Sequence, residues 1–213
     1  MGVRAKTLAA LLVAGALPAG AQIGRSRVAY NPDPKYWVGL SYGYVDGVTL
    51  SDESTNSTWR FAYSSQIRAT FEKTIQRGMT LGAAAGFTTA RLTYAGTVAP
   101  CFSCAAQADI TQYTAFFRGG GGLGFHTMYN AEAGVTRFSN FRERDSDNTL
   151  PPGSPSNDLT FGFGGGFEYG FSNTSSAYIN PVWYIVLHPQ TTETTGGSAP
   201  RILVYRAGFR MGF

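Results

Sequence analysis

Every second residue from Leu203 to Phe213 is apolar. From Tyr205 onward the alternation is strict, because the positions in between carry only arginine and glycine. The apolar set is Leu203, Tyr205, Ala207, Phe209, Met211 and Phe213. A repeat of two residues is the period of a β-strand. Arginine along one face and aromatic groups along the other is typical of a transmembrane β-barrel, with lipid outside and a polar lumen.

Seven further segments show the same kind of alternation, so the pattern predicts eight strands. These strands are residues 36–45, 59–72, 79–89, 109–118, 123–135, 159–171, 177–187 and 201–213. The third changes phase near Ala90, which predicts a bulge there. The seventh is apolar on both faces, and its Pro181 cannot donate a ladder hydrogen bond, which predicts a second bulge.

The connections between these segments alternate in length. Segments 46–58, 95–108, 138–158 and 188–200 are long and polar, whereas 74–78, 119–122 and 172–175 are short. Long loops outside the cell and short turns in the periplasm are expected of such barrels. We therefore predict an all-β fold, an eight-stranded antiparallel up-and-down transmembrane β-barrel with four long extracellular loops and three short periplasmic turns.

The amino end has the pattern of a cleaved secretory signal. Arg4 and Lys6 precede an apolar stretch at 8–17 and the small residues Ala19, Gly20 and Ala21. That stretch is shorter than the roughly 20 apolar residues of a membrane-spanning helix. We predict a signal peptide at 1–21, a short periplasmic segment at 22–34 and the barrel at 35–213.

Composition agrees with an exported barrel. Without the signal, 15 basic and 13 acidic residues remain, which gives no case for nucleic acid binding. The chain has 15 Phe, 12 Tyr and 27 Gly, and aromatic residues form the interfacial girdles of lipid-facing barrels. Charged residues make up only 14%, against about 25% in an average soluble domain, so a soluble β-sandwich is the weaker alternative.

With these features the whole mature chain resembles the small outer-membrane barrels of the OmpA/OmpX, OmpW and opacity-protein kind. The terminal residues Tyr205, Phe209, Met211 and Phe213 resemble the assembly signal read by the outer-membrane insertion machinery. The resemblance implies a location in the outer membrane of a Gram-negative cell, in contact with outer-membrane lipid. It leaves the activity open, since such barrels have adhesive, structural, transport and lipid-modifying roles.

Charged side chains fall on the inward parity of several predicted strands. They are Arg60, Arg68, Glu72, Arg118, Glu132, Glu168, Arg206 and Arg210. The interior of an eight-stranded barrel is just wide enough for side chains. We expect an internal salt-bridge and hydrogen-bond network that fills the lumen, formed chiefly by Arg68, Glu72, Glu132, Glu168, Arg206 and Arg210. The alternative is a gated narrow pathway for ions or small solutes.

The two cysteines, Cys101 and Cys104, lie in the second predicted long loop. In a cytosolic protein this spacing would suggest redox chemistry or half of a zinc site. In an exported chain with no second such pair, a local disulfide at the loop tip is the better interpretation. Its ring is very short, so we expect little effect on global stability.

Two motifs suggest enzymes, and neither fits its context. Ser41 lies in a G-x-S-x-G pattern, but inside a strand rather than at a strand-to-helix elbow. Lipid A deacylase barrels, which this layout also resembles, need a serine two residues after the histidine, and the residue two positions after His126 is Met128. We therefore predict no catalytic, metal or cofactor site and no enzyme activity.

The sequence thus favours a structural and interaction protein of the envelope that contacts an extracellular ligand through its loops. The third loop, 138–158, is a recognition site or a solvated, mobile segment. The alternative function is a narrow transporter for small or hydrophobic solutes, which a lateral opening beside Pro181 would favour. A lipid-modifying enzyme is the weakest candidate.

Overall fold

The computed structural model describes residues 34–52, 55–97, 101–188 and 200–213. It is all-β, with ten strands in this part of the chain. They are β1 (Tyr36–Val45), β2 (Thr49–Asp52), β3 (Ser57–Phe61), β4 (Ser64–Gln76), β5 (Met79–Gly96), β6 (Ser103–Gly119), β7 (Gly124–Glu143), β8 (Ser156–Ser172), β9 (Ser175–Leu187) and β10 (Arg201–Gly212). The predicted signal peptide and most of the segment that follows it lie outside the described residues. No helix of the described residues is long and apolar enough to cross a membrane.

The strands form one closed antiparallel barrel. Each wall strand pairs with the next, β10 pairs with β1, and the β5–β6 pairing closes the sheet. β3 and β4 together make one interrupted wall strand, and β2 is a short extra strand paired only with β3. The predicted eight-stranded barrel is therefore confirmed. Its two rims are the short-turn end, where β4–β5, β6–β7 and β8–β9 connect, and the long-loop end opposite.

The short turns use glycine where the backbone requires it. Gly78 and Gly120 have φ angles of 71° and 87°, a left-handed conformation that glycine adopts without steric cost. A Cβ at Gly120 would also clash with the backbone oxygen of Thr127. The glycine run at 119–122 is thus a tight turn before β7, as the strand context predicts, and opens no helix.

A continuous band of large apolar side chains covers the outside of the barrel. Leu40 on β1 and Phe163 on β8, for example, are 61% and 59% exposed. Aromatic pairs lie at its two edges, Tyr44 with Tyr63 and Tyr36 with Phe71. So much exposed apolar surface is unfavourable in water, and it matches the lipid-facing wall of a membrane barrel.

The faces predicted for the second strand were wrong at its long-loop end. Trp59 and Phe61 point into the barrel and Arg60 is exposed outside, the reverse of the expected faces. Phe61 pairs with Leu92, and Ile67 pairs with Phe87, so six residue steps on this strand face five on β5. The extra residue is a bulge near Ala62, and a bulge exchanges the two faces of a strand.

The phase change predicted near Ala90 is absent. β5 pairs with β6 without any shift from Met79 opposite Gly119 to Ala95 opposite Ser103. Leu92 and Tyr94 lie on the same inward face as Thr80 and are buried because the interior itself becomes apolar at this height. β6 and β7 also extend well beyond their predicted bounds, so much of the predicted second long loop is strand.

An apolar core fills the long-loop end of the barrel. It is built from buried side chains of nearly every wall strand and of the third long loop. Its largest members are Trp59, Tyr94, Tyr184, Phe138, Phe141, Leu50 and Leu150. The ring centroids of Trp59 and Phe141 lie 4.5 Å apart. The outward side chains at this height are polar, such as Arg91 and Thr93, so this half has the inside-out polarity of a water-exposed sheet.

The bulge predicted at Pro181 is also absent. Gly164 pairs with Val182 and Phe167 with Ile179 in one register, and Pro181 itself pairs with Tyr205 of β10. β8 and β9 approach closely here, because a Cβ at Gly166 would clash with the backbone oxygen of Ile179. Between these two pairs, Gly165 and Gly166 form no ladder pair with Pro181 and Asn180, so the β8–β9 ladder is interrupted beside Pro181 without a change of register.

The height of the lipid band can be tested with two matched substitutions on β5. Ala83 and Ala95 both face outward, the first within the apolar band and the second above it. We expect Ala83→Arg to lower the free energy of unfolding by about 2–4 kcal/mol, because arginine is costly in the bilayer interior. Ala95→Arg should change it by less than about 0.5 kcal/mol.

The measurement is urea unfolding of each variant refolded into lipid vesicles. Equal losses for the two variants would contradict the proposed boundary between lipid and water.

Candidate functional site

The lumen within the lipid band contains two layers of charged side chains. The lower layer, nearest the short-turn end, is Glu72, Arg118, Glu168 and Arg210, and we call it the lower cluster. Arg210 Nη2 lies 2.6 Å from Glu168 Oε1, and its Nη1 lies 3.2 Å from Glu72 Oε2. Arg118 Nη1 lies 3.4 Å from Glu72 Oε1. All four residues are buried, and their two positive and two negative charges balance.

Neighbouring groups hold the lower cluster in place. Thr80 donates a 2.6 Å hydrogen bond to Glu72, and Arg210 Nε donates to Ser176 over 3.0 Å. The guanidinium of Arg210 lies 4.3 Å from the ring centroid of Trp37. Cation–π contact and charge-assisted hydrogen bonds both favour the ionised arginine.

The upper layer is Arg68, Glu132, Arg206 and Tyr184, which we call the middle cluster. Arg68 Nη1 lies 2.8 Å from Glu132 Oε2, and Arg206 Nη1 lies 3.2 Å from Glu132 Oε1. The Tyr184 hydroxyl donates to Glu132 over 2.6 Å and accepts from Arg206 over 2.6 Å. This layer contains two positive charges and one negative charge.

Amide and hydroxyl side chains fill the space around the middle cluster. Gln66 and Gln112 accept hydrogen bonds from Arg206, and Thr114 accepts one from Arg68. Asn130 donates to Glu132 and accepts from Asn180. Voids lined by the described residues include one of about 40 Å³ at the short-turn mouth, one of 30 Å³ under the apolar core and one of 10 Å³ beside the middle cluster. Each has room for at most a few water molecules.

The six residues expected to form the network all lie in these two layers. Arg60 does not, because the bulge near Ala62 turns it outward. Sequence reasoning missed Tyr184, the hydroxyl at the centre of the middle cluster. Its strand is apolar on both parities, so only the register with β8 and β10 assigns its face.

A double-mutant cycle on Arg210 and Glu168 tests the lower cluster. We expect Arg210→Met to lower the free energy of unfolding by about 3–5 kcal/mol, since it leaves a buried carboxylate without its main partner. Adding Glu168→Met should restore part of the loss, giving a coupling energy of about 1.5 kcal/mol or more. Urea unfolding in lipid vesicles measures all four proteins. Additive losses would show that the pair is not coupled.

A histidine–carboxylate pair lies at the long-loop end, beyond the end of β9. His188 Nδ1 is 2.7 Å from Asp158 Oδ2, the side chain of His188 is only 4% exposed, and its ring packs edge-on against Trp59. Burial lowers the pKa of His188, but the hydrogen bond and charge of Asp158 and the charge of Asp52 raise it more. The net pKa lies above the ordinary value of 6.5.

This raised pKa predicts a pH-dependent contribution to stability. Because the folded state binds the His188 proton more tightly than the unfolded state, the contribution is complete below about pH 6.5. It is lost as the pH rises through the folded-state pKa. We expect the stability difference between the wild type and His188→Gln, measured by urea unfolding, to stay constant from pH 5.5 to about 6.5 and to shrink above that pH. A constant difference would contradict a raised pKa.

The third long loop packs against the barrel it connects. Leu150 is buried in the apolar core, and its backbone nitrogen donates to the carbonyl of Phe141 over 2.9 Å. Arg142 forms an isolated bridge with Thr149 and lies 3.6 Å from Asp147. Beside these residues is a surface cavity of about 300 Å³ with polar walls, bounded on its far side by residues 152–155.

Cys101 and Cys104 are joined by a disulfide at the tip of the β5–β6 hairpin. Cys101 is buried at the edge of the apolar core, while Phe102 between the two cysteines is 67% exposed. The Gly96 nitrogen donates to the Phe102 carbonyl over 3.1 Å, which continues the hairpin up to this ring. Glu143 lies beside the two sulfurs.

The residues of the enzyme-like motifs lie apart. Ser41 is buried in β1 with its side chain in the lumen. His126 sits at the short-turn end, with its Nδ1 beside the carbonyl of Gly124 and its Nε2 3.9 Å from Glu168. Met128 is buried on the same inward face. Neither histidine ring makes a hydrogen bond to a serine within the described ranges.

The four residues of the expected assembly signal share the lipid-facing side of β10 and its end. Tyr205, Phe209, Met211 and Phe213 are each between 43% and 66% exposed. The backbone of Phe213 exchanges two hydrogen bonds with Tyr36, of 2.9 and 3.0 Å, at the β10–β1 seam. The pattern therefore occupies the seam where the last strand meets the first.

No family model matches this sequence, and no curated protein matches it either. Solved structures with a similar fold are found. The Neisserial surface protein A has a TM-score of 0.52 at 13% identity, covering 86% of this chain and all of that chain. The outer membrane protein OprG from Pseudomonas aeruginosa has a TM-score of 0.51 at 13% identity, covering 85% of this chain and 97% of that one. At this identity, the similarity shows the fold.

Proposed function

Since this chain has the fold of the small eight-stranded outer-membrane β-barrels, as its resemblance predicted, we propose that it is a structural and interaction protein of the envelope. In this proposal the barrel is an anchor with a closed lumen. Its long-loop end presents a surface to molecules outside the cell. Fold alone does not decide between an anchor and a transporter, so the argument rests on the lumen and on that surface.

The filled lumen is the observation that carries the proposal. Seven charged side chains and Tyr184 close the barrel within the lipid band, and the remaining voids are of water size. Above them the apolar core closes the long-loop end. A solute crossing the barrel would have to separate buried ion pairs such as Arg210–Glu168, which is costly in a low-dielectric interior.

A lateral route through the wall is the alternative path for a solute. The notable weak point in the sequence is Pro181, yet the register of β8 and β9 is the same on both sides of it. The missing ladder pairs at Gly165 and Gly166 favour the transporter alternative, and the close backbone approach at Gly166 opposes it.

The long-loop end has the properties of a recognition surface. β5, β6 and β7 continue above the lipid band around an apolar core, so the surface is rigid like that of a soluble β-protein. The cavity of about 300 Å³ beside Arg142 and Asp147 offers a cation, a carboxylate and backbone groups. This composition suits a small polar ligand such as a saccharide unit or a charged peptide segment.

Export and assembly complete the proposal. Residues 1–21 would direct secretion and be removed. Tyr205, Phe209, Met211 and Phe213 would then be read by the insertion machinery before the seam between β10 and β1 closes. Their common outward face makes them accessible on an unpaired last strand.

One set of proteins tests both halves of the proposal. In planar bilayers, we expect the wild type to show no steady openings, because the lumen is filled. The wild type is also reconstituted in lipid nanodiscs and applied to arrays of glycans and peptides, where it should bind a polar ligand. The double variant Arg142→Ala/Asp147→Ala should bind that ligand at least tenfold more weakly, a loss of about 1.4 kcal/mol.

Two controls accompany this experiment. Arg77→Ala changes an exposed arginine at the short-turn end and should leave ligand binding unchanged. A porin of known conductance in the same bilayers is the positive control for detection of an open lumen. Steady wild-type openings would contradict the closed anchor, and binding insensitive to Arg142 and Asp147 would contradict the recognition site.

A further inference from the structure

The middle cluster contains one more positive charge than negative charge. Arg68 and Arg206 share the single carboxylate of Glu132, and the fourth member, Tyr184, donates its hydroxyl proton to that carboxylate. The lower cluster cannot supply the missing charge, because its two carboxylates already face two arginines. The buried carboxylates above it, Asp158 and Asp52, lie at the long-loop end, where Asp158 is held by His188 over 2.7 Å.

An uncompensated charge at this depth is unfavourable. All three charged members of the middle cluster are at most 6% exposed, and apolar side chains face lipid on the outside of the same strands. Buried charges are normally paired, since the desolvation of an isolated ion costs several kcal/mol. The excess charge therefore calls for a counter-ion within the lumen.

Unused hydrogen-bond donors point to where that counter-ion sits. Nε of Arg118 and Nε of Arg206 are buried and have no hydrogen-bond partner, whereas Nη1 of Arg118 faces Glu72 in the lower cluster. Both arginines line the 10 Å³ void, and the rest of its wall includes the carboxylate of Glu132. The other lining residues are Arg68, Phe116, Asn130, Tyr178 and Asn180. Buried guanidinium donors are rarely left unsatisfied, so an unfilled set around a void indicates a bound water or ion.

We propose that this void binds one small monovalent anion, a halide such as chloride, as a structural component of the lumen. The charge of the ion balances the second arginine of the middle cluster, and the Nε–H groups of Arg118 and Arg206 donate to it. Arg118 stacks on Tyr178, 4.5 Å from its ring centroid, which fixes the donors on one side of the void.

A water molecule is the competing occupant. It would accept from the same arginines and could also donate to Asn180 Oδ1, which has no hydrogen-bond partner. Water would leave the excess charge in place, whereas a halide removes it. The two occupants therefore differ in whether stability depends on the anion in solution.

The first test locates the ion. The full chain is refolded into detergent with sodium bromide as the only halide, so that the barrel closes around it, and is crystallised. We expect one anomalous bromide peak in the void, in contact with Arg118 and Arg206. An ordered water at that position, with no anomalous signal, overturns the proposal.

The second test measures how the unfolding midpoint depends on chloride when the net charge of the middle cluster is changed. For the wild type, the unfolding midpoint should rise by about 5 °C in 150 mM sodium chloride relative to sodium gluconate. Arg206→Gln removes the excess charge and should abolish this difference. Glu132→Gln doubles the excess and should lower the chloride concentration that gives half of the effect.

These variants are matched, because each replaces one charged member of the same cluster with the same neutral amide. A purely structural disturbance would not move the chloride dependence in opposite directions. Equal chloride dependence in all three proteins, or none in the wild type, overturns the proposal. If Arg206→Gln does not fold, the direction of the Glu132→Gln change decides by itself.

Discussion

The solvent outside the barrel changes from hydrocarbon to water along the length of the same strands, and the rest of the structure depends on this change. Within the lipid band, apolar side chains face outward and the lumen is polar. Above it, outward side chains such as Arg91 are polar and the interior is apolar. Strand alternation is continuous along β5, so one regular backbone carries two opposite distributions of polarity.

This constraint determines which side chains fill the lumen and how their charges are paired. A wall with lipid outside cannot use that face for its polar groups, and the narrow interior of eight strands admits side chains but little solvent. Charges placed there must satisfy each other. Arg210 of β10 accordingly bridges Glu72 of β4 and Glu168 of β8, so the ion pairs link distant strands across the barrel. The same pairing that stabilises the barrel also blocks passage through it.

The long-loop end follows the rules of a soluble protein because water surrounds it. β5, β6 and β7 continue beyond the membrane because their inward side chains pack in an aromatic core there. Leu150 of the third loop packs in the same core. A loop held in this way can present Arg142 and Asp147 in a fixed arrangement. Rigid presentation lowers the entropy cost of binding, which favours recognition at this end.

The sequence by itself determined the barrel, the strand count, the outward faces within the lipid band and the inward position of six network residues. A two-residue period can be recognised within a short segment, and a charged side chain on the inward parity must lie in the lumen. It misassigned Arg60 and placed bulges at Ala90 and Pro181, because one local pattern is compatible with either a register shift or a change of environment. Only the pairing with neighbouring strands distinguishes these two cases. Tertiary structure alone decided that Tyr184 joins two arginines and that the interior becomes apolar above the membrane, since both depend on side chains that are far apart in sequence and meet only when the barrel closes.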